Sequence, residues 1–228
     1  PRFDWINFLE ASILCGLLTI YLLLFKKNAL RSFSDYLLTV VILTQCWTVL
    51  LFVLVYSESI LNSPHLYKTA APISFLIAPL CYLYVRSVLF NELRFKKTDF
   101  LHALPFLFFL VNYLPFFASS TESKLDILNA TLLDKNVAIT TQLGLLPESF
   151  FYILRPIQTL FYLAFQWVLV LQFNKAFKVK EVQEQIGVVI SWLKVFTLTN
   201  TAVFFSLVFL IGLYLSIPNI FEENLLSL

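Results

Sequence analysis

Two ionisable side chains interrupt long apolar runs and are the first candidates for chemistry. Glu10 lies within the first two turns of the run that begins near Trp5, and Arg155 within the first two turns of the run from Phe150. An ionisable residue inside a membrane-length segment is costly and usually functional. Because the two lie at similar depth, we expect them to form a structural ion pair, to reach the surface separately, or to line one polar pocket.

Two amides extend this candidate site. Gln158 lies one turn from Arg155 on the same helix face, and Asn112 lies in the matching half of the preceding apolar segment. Glu10, Arg155, Gln158 and Asn112 are therefore the candidate ligand or ion-pair residues. A proton or ion pathway needs further polar groups through the midplane. There the sequence offers only three amides on separate segments: Gln45, Gln166 and Asn200.

The sequence lacks the motifs of catalysis, metal binding and nucleotide binding. Cys15, Cys46 and Cys81 lie singly in apolar runs, not at zinc-ligand spacing. The four glycines form no phosphate-binding loop, and no nucleophile elbow is present. His102 follows Asp99 closely, which favours a local contact or a helix start over a metal site. We predict no catalytic residue, no metal and no cofactor, and therefore not an enzyme.

The composition places these residues in a membrane. Of 228 residues, 59% are hydrophobic and 13% are charged, with a mean hydropathy of +0.82, whereas a soluble domain carries about 25% charged residues. About 20 apolar residues cross a bilayer as a helix. We predict one all-α domain over 1–228, a polytopic transmembrane bundle with six complete spans and the start of a seventh at 224–228. The spans cover about 5–25, 36–56, 70–90, 100–118, 150–173 and 193–217.

Lysine and arginine recur in every second loop, which predicts an orientation. These loops hold nine basic residues, against four in the other loops; the nine are Lys26, Lys27, Arg31, Arg94, Lys96, Lys97, Lys175, Lys178 and Lys180. Cytoplasmic loops carry such an excess, so we predict an external N-terminus. The last of these loops also has apolar residues at helical spacing, which predicts an amphipathic surface helix over 180–194 that leads into the sixth span.

The third and fourth segments carry a pattern of residues that resembles a known family. A proline-broken third span ends in "LYVRSVL", and "KKTDFLHALPF" follows at 96–106. This pattern resembles the seven-span N-terminal membrane region of bacterial membrane-bound AraC-type transcriptional regulators. The matching residues are Pro79, Arg86, Lys96, Lys97, Asp99, His102 and Pro105. The resemblance implies the bacterial cytoplasmic membrane, a cytoplasmic helix-turn-helix DNA-binding domain beyond residue 228, and no catalytic residues.

These expectations describe a membrane-embedded sensor and anchor of a one-component regulator. Its partners would be the lipid bilayer, an external or membrane-borne signal, DNA through the C-terminal domain alone, and a second copy, since paired DNA half-sites mirror two-fold symmetry. One alternative is the same module joined to a histidine kinase. Another is a small transporter, which predicts internal repeats and helices interrupted near the midplane. The sequence shows no such repeat.

Overall fold

The computed structural model describes residues 5–25, 32–134, 137, 141–178 and 184–216. This part of the chain is all-helical and contains no strand. The bounds are α1 Trp5–Leu24, α2 Phe33–Tyr56, α3 Ala70–Phe90, α4 Leu104–Asn112, α5 Leu114–Ala118, α6 Thr121–Leu133, α7 Glu148–Lys178 and α8 Glu184–Ser216, with 3₁₀ helices at Ser59–Asn62, Pro64–Leu66 and Lys97–Ala103. The chain forms two compact units, residues 1–162 and 163–228.

Five helices are long and apolar enough to cross a membrane, which is compatible with the predicted multi-pass membrane protein. They are Ile6–Leu24, Phe33–Tyr56, Ala70–Phe90, Phe150–Lys175 and Gly187–Phe209. Their outer surfaces carry many exposed apolar side chains; on α1, for example, Phe8, Leu14 and Leu18 are all more than half exposed. A surface of this kind suits lipid and not water.

The predicted fourth span, 100–118, is not a continuous helix. Residues Lys97–Ala103 form a 3₁₀ helix, and α4 and α5 follow, with Tyr113 between them. Pro105 and Pro115 explain the breaks, because each lies in the first turn of its helix, where a missing N–H is tolerated. In the interior of a helix, by contrast, a proline removes one backbone hydrogen bond of that helix. Hydropathy shows that a segment is apolar but not where its helix breaks. Six continuous spans are therefore not confirmed.

Helix α3 lies at the centre of the first unit and packs against α2 and α4. Helix α2 also packs against α1, and Gly16 allows their close approach: a Cβ there would lie 2.4 Å from Sγ of Cys46. The aromatic core is built around Phe75, whose ring stacks on Phe109 at 4.1 Å between centroids and meets the edge of Phe151 at 5.5 Å. The core therefore joins α3, α4 and the start of α7.

Two ends of α3 organise the rest of the unit. At its N-terminal end lie residues 57–69, α5, α6 and the loop 141–147, which we call the cap end; Tyr67 packs there against Phe116 at 5.9 Å between ring centroids. At its C-terminal end lie Arg86 and residues 91–103, which we call the motif end. One cluster of buried core residues lies toward the cap end: Leu51, Ile60, Tyr67, Ala71, Phe75, Phe109, Tyr113, Phe116, Leu128, Leu143 and Phe151.

The second unit consists of the end of α7 and helix α8. Within it Trp167 donates from Nε1 to Oγ1 of Thr201 at 3.0 Å, and Lys194 donates from Nζ to Oδ1 of Asn174 at 2.9 Å. Helix α8 runs without a break from Glu184 to Ser216, so the predicted surface helix continues directly into the last apolar segment. Residues 180–183 of that predicted helix lie outside the described residues, as do Lys26, Lys27, Arg31 and the seventh span at 224–228.

Candidate functional site

Three of the family-like residues at the motif end, Arg86, Lys96 and Asp99, take part in one ionic network. Arg86 reaches from α3 to Oδ2 of Asp99 with an N–O distance of 2.8 Å, and its Nε donates to Oε2 of Glu92 at 3.0 Å. Lys96 forms a second salt bridge with Glu92. The sequence placed Arg86, Lys96 and Asp99 in one motif, and the structure brings their side chains into contact. Glu92, which lies between them in the chain, was not singled out.

Local backbone signals set up this network. Asn91 ends α3 in the left-handed conformation, with φ of 49°, a role in which asparagine is favoured after glycine. Asp99 accepts the backbone N–H of Lys96 at 2.8 Å and so caps the 3₁₀ helix that returns toward α4. Burial of Asp99 opposes its charge, but the Arg86 guanidinium and the Lys96 N–H outweigh burial and lower the pKa of its carboxyl below the usual value.

His102 contacts residues that are distant in the chain, whereas the sequence predicted a local contact or a helix start. Its Nδ1 lies 2.6 Å from the hydroxyl of Tyr162 on α7, and its ring meets the Tyr82 ring of α3 at 5.7 Å between centroids. His102 therefore ties the 3₁₀ helix to both α3 and α7. No group of three or more His, Cys, Asp or Glu residues in the described part of the chain is arranged to hold a metal ion.

Pro79 and Gln158 form a second contact between helices. Pro79 lies inside α3 and cannot donate to the carbonyl of Phe75, four residues earlier. Gln158 of α7 donates from Nε2 to this carbonyl oxygen at 3.2 Å. The sequence singled out Gln158 as a candidate ligand or ion-pair residue. The structure shows instead that Gln158 satisfies the carbonyl that Pro79 leaves free.

The other three candidate residues lie apart. Glu10 is exposed on α1, and no salt bridge joins it to Arg155 within the described residues. Arg155 is half-buried and lies over the ring of Phe151, 6.0 Å from its centroid. Asn112 is buried and holds the cap-end loop: its Oδ1 accepts from the N–H of Leu146 at 2.8 Å. The structure therefore does not gather the four residues into one pocket.

The cap end has a buried ion pair that sequence reasoning missed. Nζ of Lys68 lies 3.1 Å from Oε2 of Glu148, and this oxygen also accepts the hydroxyl of Tyr113 at 2.9 Å. Burial disfavours the ammonium, but Tyr67 and Glu148 outweigh burial and raise the pKa of Lys68. Glu148 opens α7 and is favoured there by the helix dipole. The feature of the sequence that could have indicated this pair is the position of Glu148, a carboxylate directly before an apolar run.

A second missed contact fixes α6 on the cap end. Lys124 is 1% exposed, and its ammonium donates to the carbonyls of Phe117 and Ser119 at 2.8 and 2.9 Å. The third acceptor is Nδ1 of His65 at 3.1 Å. Because an ammonium only donates, His65 must present an unprotonated Nδ1. Three acceptors therefore satisfy this buried lysine.

No protein-family model, curated protein or solved structure matches this chain. Its functional assignment therefore depends on the residues and contacts described above.

Proposed function

We propose that this chain is the membrane-embedded sensor and anchor module of a one-component transcriptional regulator in the bacterial cytoplasmic membrane. The observation that supports this best is the motif end: Arg86, Lys96 and Asp99, on which the resemblance to AraC-type membrane regulators rests, form a single ionic network. These three residues lie within 14 positions of the chain, and the hairpin after α3 brings them into one set of contacts. DNA would be bound only by a helix-turn-helix domain beyond residue 228.

We propose six crossings, the fourth being made by the broken segment 100–118. This segment starts next to Asp99, which contacts Arg86 at one end of α3, and near its own end carries Phe116, which packs on Tyr67 at the other end of α3. It therefore covers the same distance as α3, whose 21 residues span about 30 Å. With the N-terminus outside, the motif end faces the cytoplasm and the cap end faces outward, in agreement with the basic loops.

The proposed sensing path runs from the cap end to the motif end. A signal can shift a protein only if it binds one conformation better than another. The contacts that connect the two ends are the Lys68–Glu148 pair at the start of α7, the Gln158–Phe75 hydrogen bond near its middle, and the His102–Tyr162 contact further along. Helix α7 therefore touches the fold at three depths, and a shift of α7 would move the motif end.

The two alternatives differ in what they require. A histidine kinase would have the same membrane module, so only its output region distinguishes it. A transporter is favoured by one observation, the interrupted segment 97–118. However, the loop 141–147 already occupies the polar groups of Asn112 at the second break. The Oδ1 of Asn112 accepts the N–H of Leu146, and its backbone carbonyl accepts the N–H of Leu145. The break is therefore filled by the chain itself, and the regulator remains the proposal.

The test is DNA binding by the full-length product of the native reading frame. We expect specific genomic fragments to be enriched when that product is crosslinked in cells and immunoprecipitated. A matched protein truncated after Leu228 should enrich none. Enrichment by neither protein, or a reading frame that continues into a phosphate-binding kinase segment, would contradict the proposal.

A further inference from the structure

The hairpin that joins α3 to the 3₁₀ helix exposes apolar and cationic side chains together. Leu93 is 81% exposed and Phe100 is 68% exposed, although both lie directly beside a membrane-length helix. Arg94 and Lys97 are exposed between them. Apolar side chains interleaved with cations are typical of protein surfaces that contact the interface of a lipid bilayer.

The two exposed cations differ from the other charges of the hairpin. The carboxylates of Glu92 and Asp99 are already engaged by Arg86 and Lys96. Arg94 and Lys97 form no salt bridge within the described part of the chain. Their charge is therefore available to an anion, whereas the network beside them is internally neutralised.

A mainly apolar cavity lies beside the hairpin that carries these cations. It has a volume of about 140 Å³, and its lining includes the polar side chains of Asp99 and His102 as well as Leu76, Pro79, Leu80, Leu83, Phe95, Phe100 and Ala103. The short side chains of Pro79 and Ala103 leave room that larger residues would fill. An engineered cavity of about 150 Å³ lined by apolar residues accepts benzene, so this cavity is large enough for a short stretch of hydrocarbon.

From this combination we propose that the hairpin binds an anionic phospholipid. The phosphate lies against Arg94 and Lys97, and part of one acyl chain enters the cavity beneath Phe95 and Phe100. Soluble phosphate would use only the cations and would leave the apolar side chains in water. The proposal requires that the chain lies in a membrane, but it does not depend on a DNA-binding output.

The test measures lipid affinity with defined probes. The full chain in neutral detergent is titrated with a fluorescent-tailed phosphatidylglycerol, and unlabelled phosphatidylglycerol, phosphatidylcholine and sodium phosphate compete. Arg94→Gln and Lys97→Gln remove one cation each, with Lys175→Gln as the control at an exposed lysine near the end of α7. Ala103→Leu fills the cavity, with Ala118→Leu as the control at an exposed alanine.

We expect phosphatidylglycerol to compete far better than phosphatidylcholine or phosphate. Each of the two hairpin substitutions should weaken binding about fivefold, since one basic residue near an anionic lipid surface contributes about that factor. Ala103→Leu should weaken binding as well, and both control variants should bind like the original chain. Equal competition by phosphatidylcholine, equal competition by phosphate, or control variants that lose as much affinity as the hairpin and cavity variants would each overturn the proposal.

Discussion

Gln158 shows how the role of a single residue depends on its partner. From the sequence, Pro79 predicts a free carbonyl at Phe75, because the position four residues earlier is fixed by helix geometry. The donor that satisfies this carbonyl lies 83 positions away, on α7. One sequence gives no pairing between distant helices, so Gln158 was predicted as a ligand contact and not as the partner of Phe75. Local consequences of a residue are predictable here, and long-range ones are not.

The pairing of Pro79 and Gln158 predicts a coupled loss of stability. Gln158→Leu should cost about 1–3 kcal/mol of unfolding free energy, because it leaves the carbonyl of Phe75 without a donor. In a Pro79→Ala background the N–H of residue 79 can donate to that carbonyl within the helix. The same Gln158 substitution should then cost much less, as measured by unfolding in lipid nanodiscs. Equal costs in both backgrounds would show that the hydrogen bond does not serve this purpose.

The lowered pKa of the Asp99 carboxyl predicts that the stability of the fold depends on pH. Its folded pKa is lowered, so its contribution to stability is fully present above its ordinary pKa of about 3.9 and is lost as the pH falls through the folded value. Asp99→Asn should lower stability at neutral pH and flatten the acid loss, as followed by thermal unfolding from pH 7 downward. Asp126→Asn, at an exposed position on α6, is the control and should change neither. Parallel curves for Asp99→Asn and the original chain would contradict the assignment.

At the scale of elements, hydropathy located the helices but not their interruptions. The apolar runs at 36–56 and 70–90 correspond closely to α2 and α3. The run at 100–118 is equally apolar, yet Pro105 and Pro115 divide it into three short helices. Helix α6 and the 3₁₀ helices of residues 59–66 were missed because they are short and lie in connections. Their positions depend on tertiary contacts, such as the buried Lys124, that a hydropathy pattern does not contain.

The contact between α4 and the loop 141–147 predicts a position that tolerates only glycine. A Cβ at Gly144 would lie 2.4 Å from Nδ2 and 2.6 Å from the backbone oxygen of Asn112. Gly144→Ala should therefore destabilise the chain by about 1–3 kcal/mol, the cost of overpacking. Gly187→Ala is the control: nothing lies within 4 Å of its added Cβ, so it should be neutral or stabilise α8 by up to about 1 kcal/mol. Similar effects of both substitutions on unfolding would refute the close approach.

At the scale of the whole molecule, charge and hydropathy together predicted a multi-helix membrane protein, and its five long apolar helices agree with that class. The number of crossings is the point on which sequence and structure differ, because 100–118 is apolar but interrupted. The number of crossings decides on which side of the bilayer α6 lies. If the broken segment did not cross, α6 and the motif end would be exposed on the same side.

The most direct test of the account is therefore the sidedness of these two ends. In full-length protein with Cys15, Cys46 and Cys81 replaced, single cysteines are introduced as Arg94→Cys at the motif end and Glu122→Cys on α6; both positions are exposed. Intact bacteria are treated with a membrane-impermeant maleimide, before and after permeabilisation. We predict that the Glu122→Cys protein labels in intact cells and that the Arg94→Cys protein labels only after permeabilisation. Labelling of both in intact cells, or the reverse pattern, would contradict a motif end that faces the cytoplasm and with it the proposed regulator.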